Sequence, residues 1–148
     1  MKKHAAKTPD RSDLRELIRQ AGLRSTTARV AVLKQLERAT SPISHAELAE
    51  AIVPQGFDRA TVYRNLMDLT EAGLVARGEY GDHVWRFELR REAHRHSTEH
   101  PHFVCTKCGE VSCLPNVNVN ISPSPGTQRS LMGSVSEILF KGRCPRCV

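Results

Sequence analysis

Apolar residues recur at helical spacing through the first half of the chain and predict its helices. The first helix is expected to be capped by Ser12 and stopped by Gly22. Its inward positions, spaced i, i+3, i+4 and i+7, are Leu14, Leu17, Ile18 and Ala21. A second helix, capped by Ser25 or Thr26, is expected to turn three residues inward, namely Val30, Leu33 and Leu36.

A third helix has the signature of a capping box, because Glu47 follows Ser44 by three positions. It comes directly after Ser41-Pro42, which ends the second helix. Its buried positions are expected to be Leu48 and Ile52. A turn at Pro54-Gln-Gly56 separates it from the next element.

The fourth helix is predicted over residues 59–72, with Asp58 as its N-cap and Gly73 as its stop. Its inner stripe is Val62, Leu66 and Leu69. Its outer face and flank are polar and carry Arg59, Thr61, Tyr63, Arg64, Asn65 and Asp68.

Two short strands, residues 74–77 and 83–89, are predicted on either side of the turn Tyr80-Gly81-Asp82. Helices followed by such a ribbon predict a winged helix-turn-helix, whose recognition helix lies in the major groove of DNA. Considered alone, the polar face of the fourth helix is more simply an ordinary solvated face, but the ribbon directly after it favours DNA. The residues expected to contact bases are Thr61, Tyr63 and Arg64, and those expected to contact phosphates are Arg24, Arg29 and Arg59.

The rest of the chain predicts a hinge and a smaller second unit. The strongly polar residues 90–99 are interpreted as the hinge between a DNA-binding domain, 1–89, and a second domain, 100–148. Alternation of Val117, Val119 and Ile121 with asparagines predicts a strand. A loop at 122–126 and a final strand within 135–141 complete the prediction.

Charge is unevenly distributed and indicates a polyanionic partner. The 148-residue chain has a formal charge of +6, and residues 1–40 carry ten Lys or Arg against four Asp or Glu. A basic N-terminal third favours nucleic acid, although a merely soluble basic surface is the alternative. The sequence shows neither a signal peptide nor an apolar run of membrane-spanning length, so a cytoplasmic protein without a membrane partner is expected.

Metal-ligand residue types are concentrated near the middle of the chain. Residues 94–113 hold four of the seven histidines and three of the five cysteines. In a reducing compartment, the pairs Cys105-x-x-Cys108 and Cys144-x-x-Cys147 are interpreted as metal ligands before disulfides, and four thiolates form a closed tetrahedral zinc site. Free thiols or a redox pair are the alternatives. The donors left for a second site are the histidines, Cys113 and nearby carboxylates.

An enzyme is not expected. His45-Ala-Glu47 fits the H-x-E of zinc deaminases, but neither CxxC pair is preceded by the proline of their Pro-Cys-x-x-Cys. A closed four-cysteine site also leaves no open position for a catalytic water. No small-molecule substrate is therefore predicted.

Four motifs, in this order and spacing, are specific together. They are Leu23-Arg24-x-Thr26-x-x-Arg29, Ala60-Thr-Val-Tyr-Arg-Asn-Leu66, His100-x-His102-x-x-Cys105-x-x-Cys108-Gly109 and Gly142-x-Cys144-x-x-Cys147. On these motifs the chain resembles the ferric uptake regulator family of metal-dependent bacterial transcription factors over nearly its whole length.

The resemblance implies an α+β fold, with an N-terminal winged helix-turn-helix followed by a small α/β dimerisation domain that holds a structural zinc. It implies a homodimer that represses metal-uptake genes from palindromic operators in double-stranded DNA. It also implies a regulatory metal at the hinge, bound by Glu88, His100 and His102. The family's next carboxylate ligand falls on Cys113. Further candidate ligands are His83, His94 and His96.

The identity of the regulatory metal stays open from the sequence. A thiolate from Cys113 favours zinc, because sulfur ligands select softer metals. A shell richer in oxygen would suit Fe(II) or Mn(II), as in an iron- or peroxide-responsive regulator. A zinc-ribbon interaction module without any sensing role is the remaining alternative.

Overall fold

The computed structural model of the chain describes residues 11–90, 100–122, 124–126, 135 and 137–148. Within them, the N-terminal half contains four α-helices, a 3-10 turn at Val53–Gln55 and three strands. The helices are α1 Arg11–Gln20, α2 Thr27–Arg38, α3 His45–Ile52 and α4 Arg59–Glu71. The strands are β1 Ile43–Ser44, β2 Val75–Glu79 and β3 Trp85–Leu89. No helix in this part of the chain is long and apolar enough to cross a membrane.

Side-chain caps fix where three of these helices begin. Thr26 accepts from the Arg29 backbone N–H at the start of α2, and Asp58 accepts from that of Thr61 at the start of α4. The capping box predicted from Ser44 and Glu47 is confirmed, because each side chain bonds the other residue's backbone N–H. The cap predicted at Ser12 is wrong: α1 begins at Arg11, so Ser12 lies within its first turn.

The helices enclose one apolar core that also takes in the start of the ribbon. The residues predicted to face inward from α2, α3 and α4 are buried, as are Leu14 and Ile18 of α1. Val32 is buried in addition, although it lies off the predicted stripe. The reason is that α2 packs against α1, α3, α4 and β3, so its apolar face must be wide.

The two strands after α4 form a three-stranded antiparallel sheet with β1, in the order β1-β3-β2. Both β2 and β3 were predicted, with bounds shifted by one or two residues, and Phe87 of β3 is buried. Strand β1 was not predicted, because two residues hold no periodicity. Together with the helices, this sheet forms the expected winged helix-turn-helix.

A second three-stranded sheet forms from β4 His102–Cys105, β5 Val111–Cys113 and β6 Leu139–Gly142, in the order β5-β4-β6. Strand β5 runs antiparallel to β4, with Cys113 opposite His102, and β6 runs parallel to β4, with Gly142 opposite Cys105. Only the C-terminal part of the strand predicted within 135–141 is therefore observed. The parallel pairing brings the two CxxC turns to the same end of the sheet.

The strand predicted from Val117, Val119 and Ile121 is wrong. The chain leaves the sheet after β5, and the Val117 N–H donates to the Leu114 carbonyl in a turn. Among the described residues, the alternating segment has no neighbouring strand to pair with, and Ile121 is 53% exposed. The predicted hinge lies outside the described residues apart from Arg90, so the domain limits stay a prediction.

Candidate metal centres and nucleic-acid interface

The four cysteines of the two CxxC pairs converge at one end of the second sheet. The sulfurs of Cys105, Cys108, Cys144 and Cys147 all lie within 4.8 Å of one another. Each pair sits on a tight turn: the Gly109 N–H donates to the Cys105 carbonyl, and the Cys147 N–H donates to the Cys144 carbonyl. Gly109 adopts a φ of 74°, which favours glycine.

The turns also supply N–H donors that favour a thiolate. Backbone N–H groups of Cys108 and Cys144 lower the pKa of Cys105 to about 6. The Cys147 thiol donates to the Cys144 sulfur, which raises the pKa of Cys147 to about 12. Four soft sulfurs within 4.8 Å of one another fit a structural zinc. Arg146 forms an ion pair with Glu110 and also interacts with the Cys144 sulfur, so its positive charge lies beside the cluster.

A second cluster forms where the wing meets the second sheet. Glu88 comes from β3, His102 opens β4, Cys113 closes β5, and His100 lies just before β4. Their ligand atoms also lie within 4.8 Å of one another. The Nε2 atoms of His100 and His102 are each 3.2 Å from a Glu88 carboxylate oxygen. The Cys113 thiol donates to Glu88 Oε2 at 3.3 Å.

Burial and charge at this cluster fit a cation. Burial raises the pKa of Glu88, but the contacts with His102 and His100 outweigh it and hold that pKa below its usual value. The His102 side chain is only 2% exposed, and its Nδ1 has no hydrogen-bond partner among the described residues. Two imidazoles, a thiol and a carboxylate around a common point are a donor set that zinc accepts.

Of the remaining candidate ligands, His83 does not join this cluster. His83 lies at the tip of the β2–β3 turn with a φ of 60°, is exposed, and donates its backbone N–H to Glu79. His94 and His96 lie outside the described residues.

The outer face of α4 carries exposed basic and aromatic side chains. Tyr63 is 50% exposed, and Arg59 and Arg64 are exposed beside it. Arg24 is exposed at the turn before α2. The Thr61 hydroxyl donates to Asp58, so it serves the helix cap as well as the surface.

The expectation that Arg29 contacts phosphate is not supported. Its guanidinium lies 2.7 Å from Asp68 Oδ2 and also donates to the Arg24 carbonyl, and its side chain is only 16% exposed. It therefore braces α2 against α4. Asp68, predicted on the open face of α4, is its partner.

Two further residues near these sites were not predicted. The ring of His45 contacts that of Tyr63 edge-on, with centroids 5.3 Å apart, while Glu47 serves the capping box. Tyr80, in the β2–β3 turn, contacts His102. Neither carries a signal in the sequence, because both contacts join segments far apart in the chain.

Comparison with known proteins identifies the family. Residues 20–122 match the ferric uptake regulator family. The ferric uptake regulation protein of Legionella pneumophila is 32% identical over 134 residues, which cover 88% of this chain and 95% of that protein. A peroxide-responsive repressor of Staphylococcus epidermidis is 31% identical over 96 residues, which cover 64% of this chain and 60% of the relative.

The fold gives the same result. The crystal structure of the Vibrio cholerae ferric uptake regulator superposes with a TM-score of 0.62 at 28% identity, covering 88% of this chain and 98% of that one. The sequence matches and the fold indicate the same family, and the winged helix, the second sheet and the cysteine cluster are consistent with it. The chain therefore belongs to the ferric uptake regulator family of metal-responsive, DNA-binding transcription regulators.

Proposed function

We propose that the protein is a transcriptional repressor, acting in the cytoplasm on metal-uptake genes. It binds palindromic operators as a homodimer when the second cluster holds its metal, for which zinc is favoured. The proposed domains are the winged helix, 1–89, the hinge, 90–99, and a dimerisation and sensing domain, 100–148. The observation that carries the proposal is the second cluster, whose ligands come from both the wing and the second sheet.

The origin of these ligands supports a conformational role. Glu88 belongs to the winged helix, whereas His100, His102 and Cys113 belong to the second sheet. A bound cation supplies positive charge that joins these donors. Glu88 then holds the wing at one orientation toward the second sheet. Shifting the ratio of closed to open states from 1:99 to 99:1 needs roughly 5.5 kcal/mol of differential metal binding. Ligands contributed by two units can supply that difference.

The recognition surface proposed for DNA is the exposed face of α4. Arg64, Tyr63 and Thr61 are the proposed base contacts, and Arg59 and Arg24 the proposed phosphate contacts. In a symmetric dimer, two copies of α4 would reach half-sites about one helical turn apart. Exposed apolar residues of the second unit support a dimer interface there, namely Val117, Ile121, Val135 and Phe140.

Zinc is favoured because the cluster contains a thiol. Cys113 lies 3.3 Å from Glu88 and would place one sulfur among two nitrogens and one carboxylate. The closed Cys105, Cys108, Cys144 and Cys147 cluster is proposed to hold a second, structural zinc. An iron- or peroxide-responsive regulator, using Fe(II) or Mn(II), is the alternative, and the names of the Legionella and Staphylococcus relatives favour it.

The test is DNA affinity as a function of metal. Duplexes selected from a random library with zinc-loaded protein would be titrated with apo, zinc-, Fe(II)- and Mn(II)-loaded protein. One metal is expected to raise affinity by about 5- to 150-fold, the usual range of such coupling. His100→Ala should abolish the rise, whereas His83→Ala, a control at an exposed histidine outside the cluster, should retain it. Equal affinity with and without every metal would leave only a zinc-ribbon module without sensing.

A further inference from the structure

Tyr80 is a buried aromatic residue in an otherwise exposed turn. It is 5% exposed, whereas Gly81, Asp82 and His83 after it are all exposed. Tyr80 is not part of the apolar core formed by the helices and the ribbon. Its burial therefore has a different cause from that of the other large apolar residues of the winged helix.

The turn lies against the second sheet. The ring of Tyr80 sits 5.1 Å from that of His102, centroid to centroid, at an angle of 56°. A Cβ added at Gly81 would come 3.4 Å from Lys141 Nζ of β6. Besides Glu88, the wing thus has a second point of contact with the sheet that carries the histidines.

A glycine of β2, two residues before Tyr80, leaves room for this ring. Gly78 has no φ that requires glycine, but a Cβ there would lie 2.8 Å from the Tyr80 hydroxyl oxygen and 3.0 Å from Cζ. Separations this short force the ring to move. Glycine at position 78 therefore permits Tyr80 to fold back over β2 toward His102.

His102 contacts two neighbouring rings and has no hydrogen bond at Nδ1 among the described residues. His100 lies 4.8 Å from it, centroid to centroid, and Tyr80 lies 5.1 Å away. A histidine that binds metal is usually oriented by a hydrogen bond at its second nitrogen. Among the described residues, His102 Nδ1 has no such partner, so the orientation of its ring depends on the 3.2 Å contact of Nε2 with Glu88 and on packing against the two rings.

We infer that Tyr80 is a positioning residue of the regulatory site, which fixes the ring of His102 and docks the wing turn on the second sheet. The inference rests on the proposed function of that site. Tyr80 is not one of the four clustered ligand residues; it would act through His102. Metal affinity at the second cluster and the seating of the wing therefore depend on the same side chain.

The test uses the full-length protein with Co(II) as the probe, because its visible spectrum reports coordination geometry. Tyr80→Leu is expected to weaken binding of the second Co(II) equivalent by about tenfold to a hundredfold and to change its spectrum. Tyr80→Phe, which keeps the ring, should stay within about threefold of the wild type. Gly78→Ala should resemble Tyr80→Leu, and the penalty of Gly78→Ala should shrink in a Tyr80→Phe background, because the nearest clash is with the hydroxyl.

Trp85→Leu is the matched control. Trp85 is an aromatic residue of the same ribbon, 51% exposed, that contacts Arg77. Its replacement should leave the affinity for the second Co(II) equivalent, and the spectrum of that equivalent, unchanged. Circular dichroism and retention of the first, thiolate-bound equivalent check that every variant is folded.

The outcomes separate the inference from the function on which it rests. If the wild type takes up a single equivalent, the proposed regulatory site itself is refuted. If it takes up two and Tyr80→Leu keeps the wild-type affinity and spectrum, the positioning role is wrong while the site stands. If Trp85→Leu weakens binding as much as Tyr80→Leu does, the effect belongs to the ribbon as a whole, and the positioning role is again overturned.

Discussion

At the scale of single residues, Cys113 determines the chemical character of the second cluster. The resemblance to the family places a carboxylate at this position, and the chain has a thiol there, 3.3 Å from Glu88. A thiolate is soft and a carboxylate is hard, so this exchange favours zinc over Fe(II) or Mn(II). Only the identity of this residue was available from the sequence; its distance to Glu88 required the fold, because the two lie 25 positions apart.

Cys113→Ser is expected to weaken zinc-dependent DNA binding by more than about tenfold, since a hydroxyl is a poor zinc ligand. Cys113→Asp should restore a response but shift its preference toward Mn(II) and Fe(II). Both outcomes are measured as the affinity of each variant for the selected duplex while zinc, Fe(II) or Mn(II) is titrated. A zinc response left unchanged by Cys113→Ser would return the sensor to the iron-responsive alternative.

At the scale of elements, local signals determined what could be predicted. The caps at Thr26, Ser44 and Asp58 and the stripes behind them are set by neighbouring residues, so the helices followed from the sequence. Strands need partners that lie elsewhere in the chain. The two-residue β1 was missed for this reason, and the alternation from Val117 to Ile121 was mistaken for a strand.

Because the capping box of α3 is formed by neighbouring residues, its contribution to the free energy of unfolding can be measured with a single substitution. Ser44→Ala removes the acceptor for the Glu47 N–H and should lower the free energy of unfolding by about 1 kcal/mol. Chemical denaturation followed by circular dichroism measures this loss. Ser25→Ala is the control: the cap of α2 is Thr26, so a change within about 0.5 kcal/mol is expected. Equal losses in both variants would contradict the assignment of the cap.

At the scale of the whole molecule, one strand belongs to both clusters. Strand β4 begins with His102 and ends with Cys105, so the clusters lie roughly 10 Å apart along it. Its neighbour β6 runs parallel and leads into the second CxxC turn. The sequence predicted both pairs of cysteines but not this strand pairing, because a parallel contact across 33 intervening residues leaves no local pattern.

Cys144→Ser is therefore expected to affect both metals. Zinc per chain, measured by elemental analysis after dialysis, should fall by one equivalent, because three sulfurs no longer close the shell. The second equivalent should also bind more weakly, since β6 then loses its anchor beside β4. An unchanged zinc content per chain would refute the structural site. An unchanged affinity of the second cluster for its metal would show that the two clusters are independent.

The shared strand also imposes a sequence of events on a newly made chain. Until the cysteine turns are joined, β6 would be held at β4 by its backbone ladder and by the Thr106 hydroxyl bond to the Gly142 carbonyl, without the anchor that the cysteines add. A chain could not report on the availability of metal before it had captured one ion for itself. The regulator would thus fail to bind DNA in two different states: without its structural zinc, and with that zinc but without the regulatory metal. Only the second state would report how much metal the cell contains.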